Sequence, residues 1–592
     1  MQRTNAVRGT RLPRCIRPLR ATVPAMRFLL ALLFLLPLAA ADLDALPVLH
    51  QGRVKPLAVA AEESLYAIAG TGRLPYMTDA TSGLLTLLTD PAAVSDLPLV
   101  YVPWLALRPK LGLPLEEQRA SLHQVEKLRP ELQAVVDRKQ RMDQSGRIEA
   151  WSTDDEALMT LANRYSEALS VVSGQTILLA PLAISEAERI WVTDVVAPKL
   201  AHAAAPRPWH EAVRTALAKP NGLAEANIWL SYEDLVRSPD PLLAEAPAGL
   251  QAVLRAPLDA AVLHARQGSV SPGLIRAELI YQRSHPFTIA WICFILGGLA
   301  VAAGLGTRPG WYRIGLALTG LAIAATTAGL AVRTVITGLG AVTNLFETFL
   351  FVALIVAMLG IWFAQRSGQG LYAVAGGIGA GLCAMIGEAM PPDLGSHIGQ
   401  LQPVLRSKFW LWIHVKVVVA AYAPLVLALV LGNVVLWKAW RAGRAVTMVE
   451  SKNLYRCLQW GTVLMAAGTL LGAVWADQAW GRFWGWDPKE VGALIIILVY
   501  LIPLHLRYVG TVGPTGLAGW AVLGFLSVVW SWYGVNFILG AGLHAYAFGS
   551  GGMHIVLPIA ALQVAITTWQ LLSIRRAVRK TGAGAVTTPP PT

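Results

Sequence analysis

The chain has 592 residues, of which 55% are hydrophobic and only 14% are charged. Soluble domains carry about 25% charged residues, so this composition excludes an ordinary soluble protein. The formal net charge of +13 does not indicate a nucleic-acid partner, because the basic residues stand at the ends of apolar runs, as the positive-inside rule describes. We therefore expect an all-α polytopic membrane protein in a lipid bilayer, with no nucleic acid bound.

The first 41 residues have the features of an export signal. Residues 1–27 contain seven Arg and no acidic residue, and the apolar run that follows ends at Ala41. This run is shorter than the roughly 20 residues that a span requires. A cleaved signal peptide is therefore favoured over an uncleaved N-terminal anchor.

Residues 42–284 contain no apolar run of spanning length and are predicted to form an exported, mainly helical domain. Its Leu, Ala, Glu and Arg patterns predict helices near 115–142, 154–172 and 210–218. A single histidine is weak evidence for a ligand. His50 is therefore expected to be a surface or loop residue.

Nine apolar runs follow, each near the length that a bilayer requires, and they form a predicted transmembrane domain of residues 285–576. If the exported domain lies outside, nine spans end inside, and the loops expected in the cytoplasm carry the larger share of Arg and Lys. The tail at 577–592 is expected to be disordered. The runs are 286–306, 311–332, 342–364, 371–390, 411–437, 457–475, 490–508, 517–538 and 553–574.

Three tryptophans, Trp480, Trp484 and Trp486, lie within seven residues between the sixth and seventh runs. Single tryptophans anchor many proteins at the water–lipid boundary, but so dense a cluster favours a flat aromatic platform for a planar ligand. The Asp-Pro-Lys-Glu sequence that begins at Asp487 also matches a capping box with Pro in the first turn. We therefore expect Asp487 to start the seventh helix and the tryptophans to make the main ligand contacts.

Two histidines are expected on the same outer side as the tryptophans. His414 lies at the start of the fifth run, and His544 lies just beyond the eighth. Nitrogen ligands on both sides of a planar macrocycle, with aromatic groups along its edges, are what bis-histidine haem ligation requires. Either histidine alone would more simply bond a backbone carbonyl or a lipid headgroup. Together with the tryptophans, the pair favours haem-iron ligation.

Other polar residues near the ends of the runs leave alternatives open. His505, at the inner end of the seventh run, could receive haem from the cytoplasm or be an ordinary interfacial residue. His397 and His554 compete as outer ligands, but neither stands in an aromatic cluster, so they rank below the first pair. Asn344 and Glu347, at the start of the third run, are explained equally well by helix capping and by a role in the site.

The segment 480–487 resembles the WWD signature of the haem-handling proteins of cytochrome c maturation, CcsA, CcmC and CcmF. Three further stretches, 343–347, 402–415 and 544–546, are similar to the CcsA branch. The resemblance covers about residues 280–575, with the motifs in the family's order. Residues 42–284 are similar to an extra domain that precedes CcsA in some fused bacterial proteins.

The resemblance implies a function in cytochrome c maturation as a haem lyase that works within a complex. In this family haem b rests outside on the WWD segment between two external histidines, and its vinyl groups are joined to the two thiols of a CxxCH motif in apocytochrome c. A histidine within the membrane carries haem outward and matches His505. The haem-binding residues implied are His414, His544, His505, Trp480, Trp484, Trp486 and Asp487, with His414 and His544 as the axial ligands of the iron.

The resemblance also implies partners and a location. The family works with a CcsB (ResB-like) membrane protein, and no ResB-like spans precede the CcsA-like part, so this partner is expected to be another chain. Thiols must be reduced in an oxidising compartment, which implies a thioredoxin-type thiol reductant. The expected location is the bacterial inner membrane, with the N-terminal domain and the WWD segment outside the cytoplasm.

Two other functions remain as alternatives. The chain could export or chaperone haem without forming the thioether, as CcmC does, or it could transport an unrelated solute. It contains four cysteines but no CxxC, which argues against a thiol–disulfide enzyme and against a covalently bound haem of its own. Length, the number of runs and the CcsA-like stretches favour the lyase.

Overall fold

The computed structural model describes the chain from residue 44 to residue 585 with gaps. The described residues form two compact units, which meet in the sequence between Ser284 and His285. Outside them lie the predicted export signal, the helix expected at 210–218, and His544 with its neighbours. The described ranges are 44–45, 47–51, 53–74, 76–77, 79–89, 94–145, 152–172, 177–179, 272–306, 308–390, 395–399, 407–539 and 553–585.

The N-terminal unit combines helices with two small antiparallel sheets. The larger sheet has the strand order β2–β1–β5, and Val48 of β1 pairs with Lys55 of β2. The smaller sheet pairs β3 with β4. The strands are β1 (Pro47–His50), β2 (Arg53–Pro56), β3 (Val100–Tyr101), β4 (Arg119–Ala120) and β5 (Ile177–Leu179). The helices are α1 (Leu57–Ala69), α2 (Ala80–Thr89), α3 (Leu122–Glu126), α4 (Arg129–Ser145), α5 (Thr153–Val172) and α6 (Pro272–Ser284), with a 3₁₀ turn at Pro109–Leu111.

The single helix predicted over 115–142 is in fact strand β4 followed by two helices. Ser121 stops the strand and starts α3 with a capping box, in which its hydroxyl accepts a hydrogen bond from the backbone N–H of Gln124. The Gln124 side chain accepts one in return from the Ser121 N–H, at 2.9 Å. This local cap separates the strand from the helix, and the hydrophobic pattern alone does not reveal it. The helix predicted over 154–172 agrees with α5 to within one residue.

His50 is fully buried, so its expected place on the surface is wrong. Side chains alternate along a strand, so His50 shares the face of Val48, which lies in the core. Its Nε2 atom lies 3.8 Å from a carboxylate oxygen of Glu63. Lys55, on the paired strand, forms an ion pair with the same carboxylate, and burial lowers the pKa of the Lys55 ammonium against the opposing pull of Glu63.

The hairpin formed by β1 and β2 also holds α6 to the unit. Arg53 makes two hydrogen bonds to the carboxylate of Glu278, at 2.7 and 2.6 Å. Arg283 pairs with Asp44 at 2.5 Å. The basic residues Arg53 and Lys55 therefore both tie strand β2 to helices of this unit.

Breaking the Lys55–Glu63 pair is expected to destabilise the N-terminal unit strongly. The two side chains are 1% and 2% exposed, and Lys55→Met would leave the Glu63 carboxylate buried without its cation, a loss of about 3–5 kcal/mol. Hydrogen–deuterium exchange of α1 in the full-length protein measures the effect. Lys110→Met removes the exposed Lys110–Glu131 pair and should cost less than about 1 kcal/mol. Equal protection of α1 in the two variants would contradict the prediction.

Within the described residues of the C-terminal unit, nine helices are long and apolar enough to cross a membrane, as predicted. The first four spans are Pro286–Gly304, Pro309–Thr337, Leu345–Ser367 and Leu371–Glu388. A short helical turn, Lys408–Trp410, precedes the fifth. The last five spans are Leu411–Arg441, Met448–Trp480, Pro488–Tyr508, Pro514–Leu539 and the helix Met553–Ala585.

Two features of these spans differ from the sequence expectation. The ninth helix runs to Ala585, so the first nine residues of the tail expected to be disordered are helical. The fifth span begins with a π-helical turn, Leu411–Val415, and the eighth ends in a π-helical segment, Trp530–Leu539. Wide helical turns of this kind are rare and occur often at functional sites. The first lies within the predicted motif 402–415, and the second ends five residues before His544 in the sequence.

Candidate functional site

The Trp loop, residues 480–487, joins the sixth span to the seventh. Trp480 is the last residue of the sixth helix, and Gly481 ends it in the left-handed conformation (φ 67°). The Asp487 side chain accepts a hydrogen bond from the Lys489 N–H at 2.9 Å and, with Glu490, forms the predicted capping box. Glu490 also accepts from the N–H of Gly485 at 2.8 Å. The cap thus fixes both the start of the seventh helix and the end of the loop.

The rings of the Trp loop do not form one flat surface. Those of Trp484 and Trp486 are perpendicular, with centroids 5.9 Å apart, so the expected flat platform is wrong for this pair. Trp486 also has a φ of 55°, a left-handed conformation that is uncommon for residues other than glycine. Trp486 is also 71% exposed. A ligand would therefore meet the edge of one ring and the face of the other, and not one flat aromatic surface.

His414 lies in the π-helical turn that opens the fifth span, and it packs against the sixth span. Its Nδ1 atom is 2.9 Å from the carbonyl oxygen of Gly468. A carbonyl can only accept, so Nδ1 carries the proton and Nε2 carries the lone pair that a metal would use. The ring also meets Trp475 edge to face, at 5.6 Å between centroids.

Glycine makes this approach possible. A Cβ atom at Gly472 would collide with the His414 imidazole, and one at Gly468 would lie 2.5 Å from a methyl carbon of Val418. Small residues four apart let two helices in a membrane come close together. The sixth span therefore provides the surface on which His414 packs, and the spacing of Gly468 and Gly472 is its sign in the sequence.

His414 lies close to the helix end that carries the Trp loop. Trp475 precedes Trp480 by five residues, which corresponds to about 7.5 Å along a helix. The indole N–H of Trp410 adds a second tie, because it donates to the side chain of Gln478 at 2.9 Å. The structure thus brings His414 and the start of the Trp loop to the same end of the bundle.

His505 lies at the other end of the seventh span. It is separated from Pro488, the first residue of that helix, by 17 positions, or about 26 Å. Its Nδ1 atom bonds the carbonyl of Leu501 at 2.8 Å, and its side chain is exposed. The structure therefore does not bring His505 to the Trp loop. Neither His544 nor the side chain of His554 is among the described parts of the chain.

A buried ion pair organises the loop that contains His397. Arg333 in the second span donates to Glu347 in the third at 2.5 Å, and the two side chains are 1% and 2% exposed. The guanidinium also donates to the carbonyls of Gly395, Ser396 and His397, at 3.1, 2.7 and 3.5 Å. The backbone of His397 is thus held by a charge in the second span.

At the start of the third helix the structure confirms capping, and a role of these residues in the site stays a prediction. Asn344 caps the helix by accepting from the N–H of Glu347 at 2.9 Å. The second oxygen of Glu347 accepts from the N–H groups of Val342 and Thr343, at 3.1 and 2.7 Å. Glu347 therefore does more than cap. The sequence feature that points to this ion pair is Arg333, because a charge at the end of an apolar run requires a partner.

Taken together, the nine apolar helices found among the described residues, with His414 and a tryptophan-rich loop at one end, define a polytopic membrane protein with a candidate site at that end. A model of the family described as "Cytochrome C assembly protein" matches residues 342–544. This match begins just before the third span and ends at His544.

Individual relatives point to the same family as this model. The chain is 32% identical over 274 residues to the cytochrome c biogenesis protein CcsA of a Synechococcus species, covering 88% of that protein and 41% of this chain. It is 32% identical over 264 residues to CcsA of Guillardia theta, covering 86% of that protein and 40% of this chain. The chain belongs to the CcsA family of cytochrome c assembly proteins, and the family implies that it handles haem.

One relative extends the similarity beyond the spans. The protein NrfI of Wolinella succinogenes is 27% identical over 524 residues, which cover 84% of this chain. A match of that length includes much of the region before residue 285. The chain spans 53% of the length of NrfI.

Proposed function

We propose that this protein moves haem b to the outer face of the bacterial inner membrane and presents it there for covalent attachment to the CxxCH motif of apocytochrome c. It does so with a CcsB (ResB-like) partner and with a thioredoxin-type reductant that keeps the thiols reduced. The observation that carries the proposal is the position of His414. Its imidazole is oriented by the Gly468 carbonyl and packs against the helix that leads into the Trp loop.

In this proposal His414 and His544 ligate the haem iron from opposite sides. The bond from Nδ1 to the Gly468 carbonyl supports the role of His414, because metal-binding histidines usually donate their other ring N–H to an oxygen. Trp480, Trp484, Trp486 and Asp487 border the haem in the proposal. The perpendicular rings of Trp484 and Trp486 suit the edge of a macrocycle better than its face.

His505 takes haem at the opposite, cytoplasmic end of the seventh span. Its exposure and its Nδ1 bond to Leu501 support that role, since they leave Nε2 as the nitrogen for iron. The distance of about 26 Å along the helix makes it a separate, earlier station and not part of the outer site.

The attachment step itself needs positioning more than acid–base catalysis. Each thiol adds across a vinyl double bond, so that sulfur bonds the carbon next to the porphyrin ring and the hydrogen goes to the terminal carbon. No oxidant is consumed. The protein's contribution is to hold the vinyl groups beside the thiols, and alignment of this kind can replace much of the entropic cost of a two-body reaction.

Purification of the full-length protein and recording of its haem spectrum test the site. We expect a six-coordinate, low-spin spectrum, which His414→Ala and His544→Ala each weaken and which added imidazole restores. The double variant should retain no haem. His123→Ala, at an exposed position of α3, is the matched control and should behave as wild type. Unchanged haem in the double variant would exclude the ligand assignment.

Co-expression separates the lyase from a haem exporter or chaperone. Cells that express this chain, a ResB-like partner and an apocytochrome c should produce covalently bound haem, detected on a denaturing gel by its peroxidase activity. Cells lacking any one of the three should not. Haem-loaded protein that never yields the covalent product with all three present would favour the chaperone.

A further inference from the structure

The side chain of Lys489 bridges two elements that border the candidate site. It lies two residues after Asp487, in the first turn of the seventh span. Its ammonium donates to the carbonyl oxygen of Ser531 at 2.8 Å and approaches that of Trp532 at 3.4 Å. Both carbonyls belong to the π-helical segment 530–539. A cation at the start of one helix is thus bound to the backbone of another.

The position of this contact is unusual in its electrostatics. A lysine at a helix N-terminus faces the positive end of the helix dipole and gains nothing from it. The structural reason for a lysine at this position must therefore lie in the groups that its ammonium contacts. Backbone carbonyls of a π-helical turn are suitable acceptors, and the Trp532 carbonyl also accepts from the Asn536 amide at 3.0 Å.

The π-helical segment is fixed from two further sides. The ring of Trp532 stacks on Phe349 of the third span, with centroids 4.2 Å apart, and on Tyr422 of the fifth, at 5.0 Å and 8°. Ser531 is buried against Gly492, where an added Cβ atom would lie 2.7 Å from the serine oxygen. Three spans therefore define where this segment lies, and Lys489 is the charged contact among them.

We propose that Lys489 is a positioning residue that sets the distance between the Trp loop and the segment that leads to His544. The inference rests on the proposed function, in which that histidine ligates the iron. Leu539 ends the π-helical segment, and His544 follows it by five residues, a length of chain that reaches at most about 17 Å. Moving the segment away from the loop therefore moves the volume that His544 can reach.

A distance measurement tests the geometry without haem. Spin labels at Phe483→Cys and Leu539→Cys, two exposed positions, report the separation of the Trp loop and the π-helical segment. The native cysteines are replaced by alanine in this background. We expect one narrow distance distribution with Lys489 and a broader or shifted one in Lys489→Met. Identical distributions would overturn the proposal.

The haem spectrum tests the consequence for ligation. In Lys489→Met, haem retained through purification should fall about tenfold, as for other residues that orient metal ligands, and the remainder should turn partly five-coordinate and high-spin. Added imidazole should restore the six-coordinate spectrum, and Lys489→Arg, which keeps a charged donor, should stay close to wild type. Lys438→Met, at an exposed position in the fifth span, is the control.

The outcomes separate a positioning role from other causes. A purely structural role would lower the yield of protein but leave the spectrum of the bound haem unchanged, which would overturn the proposal. If Lys489→Met does not fold, Lys489→Gln retains polarity while losing reach, and the same two readouts apply. Haem missing from the wild-type protein would instead count against the proposed function, while the spin-label distances would still decide the geometric claim.

Discussion

The Glu347→Gln variant is expected to lose about 3–5 kcal/mol of unfolding free energy, because it leaves the buried guanidinium of Arg333 without its carboxylate. Glutamine preserves the size of the side chain and can still accept from the N–H groups of Val342 and Thr343. The amide nitrogen that replaces the other oxygen is a donor, so Arg333 loses both the negative charge and its acceptor on residue 347. The measurement is thermal unfolding in detergent, together with hydrogen–deuterium exchange of the loop 395–399.

The loop readout distinguishes this pair from an ordinary buried salt bridge. Replacing both partners by apolar residues is often neutral, but Arg333 also donates to three consecutive carbonyls of the loop. The double variant Arg333→Met/Glu347→Leu should therefore recover part of the stability while the loop remains unprotected. Full protection of the loop in the double variant would show that the guanidinium does not hold it.

The same unit offers a matched control for the charge. Arg444 and Glu450 pair at 2.9 Å, but their side chains are 43% and 23% exposed. Arg444→Met should cost less than about 1 kcal/mol, since solvent screens the pair and can replace it. A cost equal to that of Glu347→Gln would mean that burial is not the source of the effect.

The Gly472→Ala variant is expected to displace His414 and to weaken haem binding by about 10–100-fold, the usual cost of disturbing a group that orients a metal ligand. The added methyl group would lie 3.0 Å from each ring nitrogen of His414 and closer still to the carbon between them. The imidazole must then move, which breaks its bond to the Gly468 carbonyl. Spectral titration of the apoprotein with haem measures the change.

Helix propensity alone predicts that Gly472→Ala makes the folded protein more stable. Alanine in a helix interior is more favourable than glycine by roughly 0.5–1 kcal/mol, so a loss of affinity without a loss of folded protein points to the clash. Gly320→Ala is the control, since beyond its own helix backbone and chain neighbours no atom of the described residues lies within 4 Å of the added Cβ. Wild-type affinity in Gly472→Ala would show either that His414 can shift freely or that it is not a ligand.

Local features of this protein could be predicted from its sequence with good accuracy. The nine spans follow from apolar length, because the membrane requires about 20 apolar residues in each helix. The start of the seventh helix at Asp487 was predicted as well, since a capping box is complete within four residues. Family membership followed from short motifs in a fixed order, and the comparisons confirm it.

Expectations failed where local pattern and packing disagree. His50 was expected to be a surface or loop residue because a single histidine is weak evidence for a ligand, whereas strand alternation and the partner strand put it in the core beside Glu63. The flat aromatic platform was inferred from density of tryptophan alone. The rings of Trp484 and Trp486 are perpendicular, and the loop that carries them has a positive φ at Trp486 and is bound by Glu490 through the N–H of Gly485.

The sequence by itself therefore determined the class of protein, its spans, its helix caps and its family, since each depends on residues that are close together in the chain. Only the tertiary structure decided three hydrogen bonds. They join His414 to the Gly468 carbonyl, Arg333 to the loop of His397, and Lys489 to the π-helical segment. These contacts join residues 42 to 63 positions apart. Their formation depends on how the spans pack, which no local pattern of residues specifies.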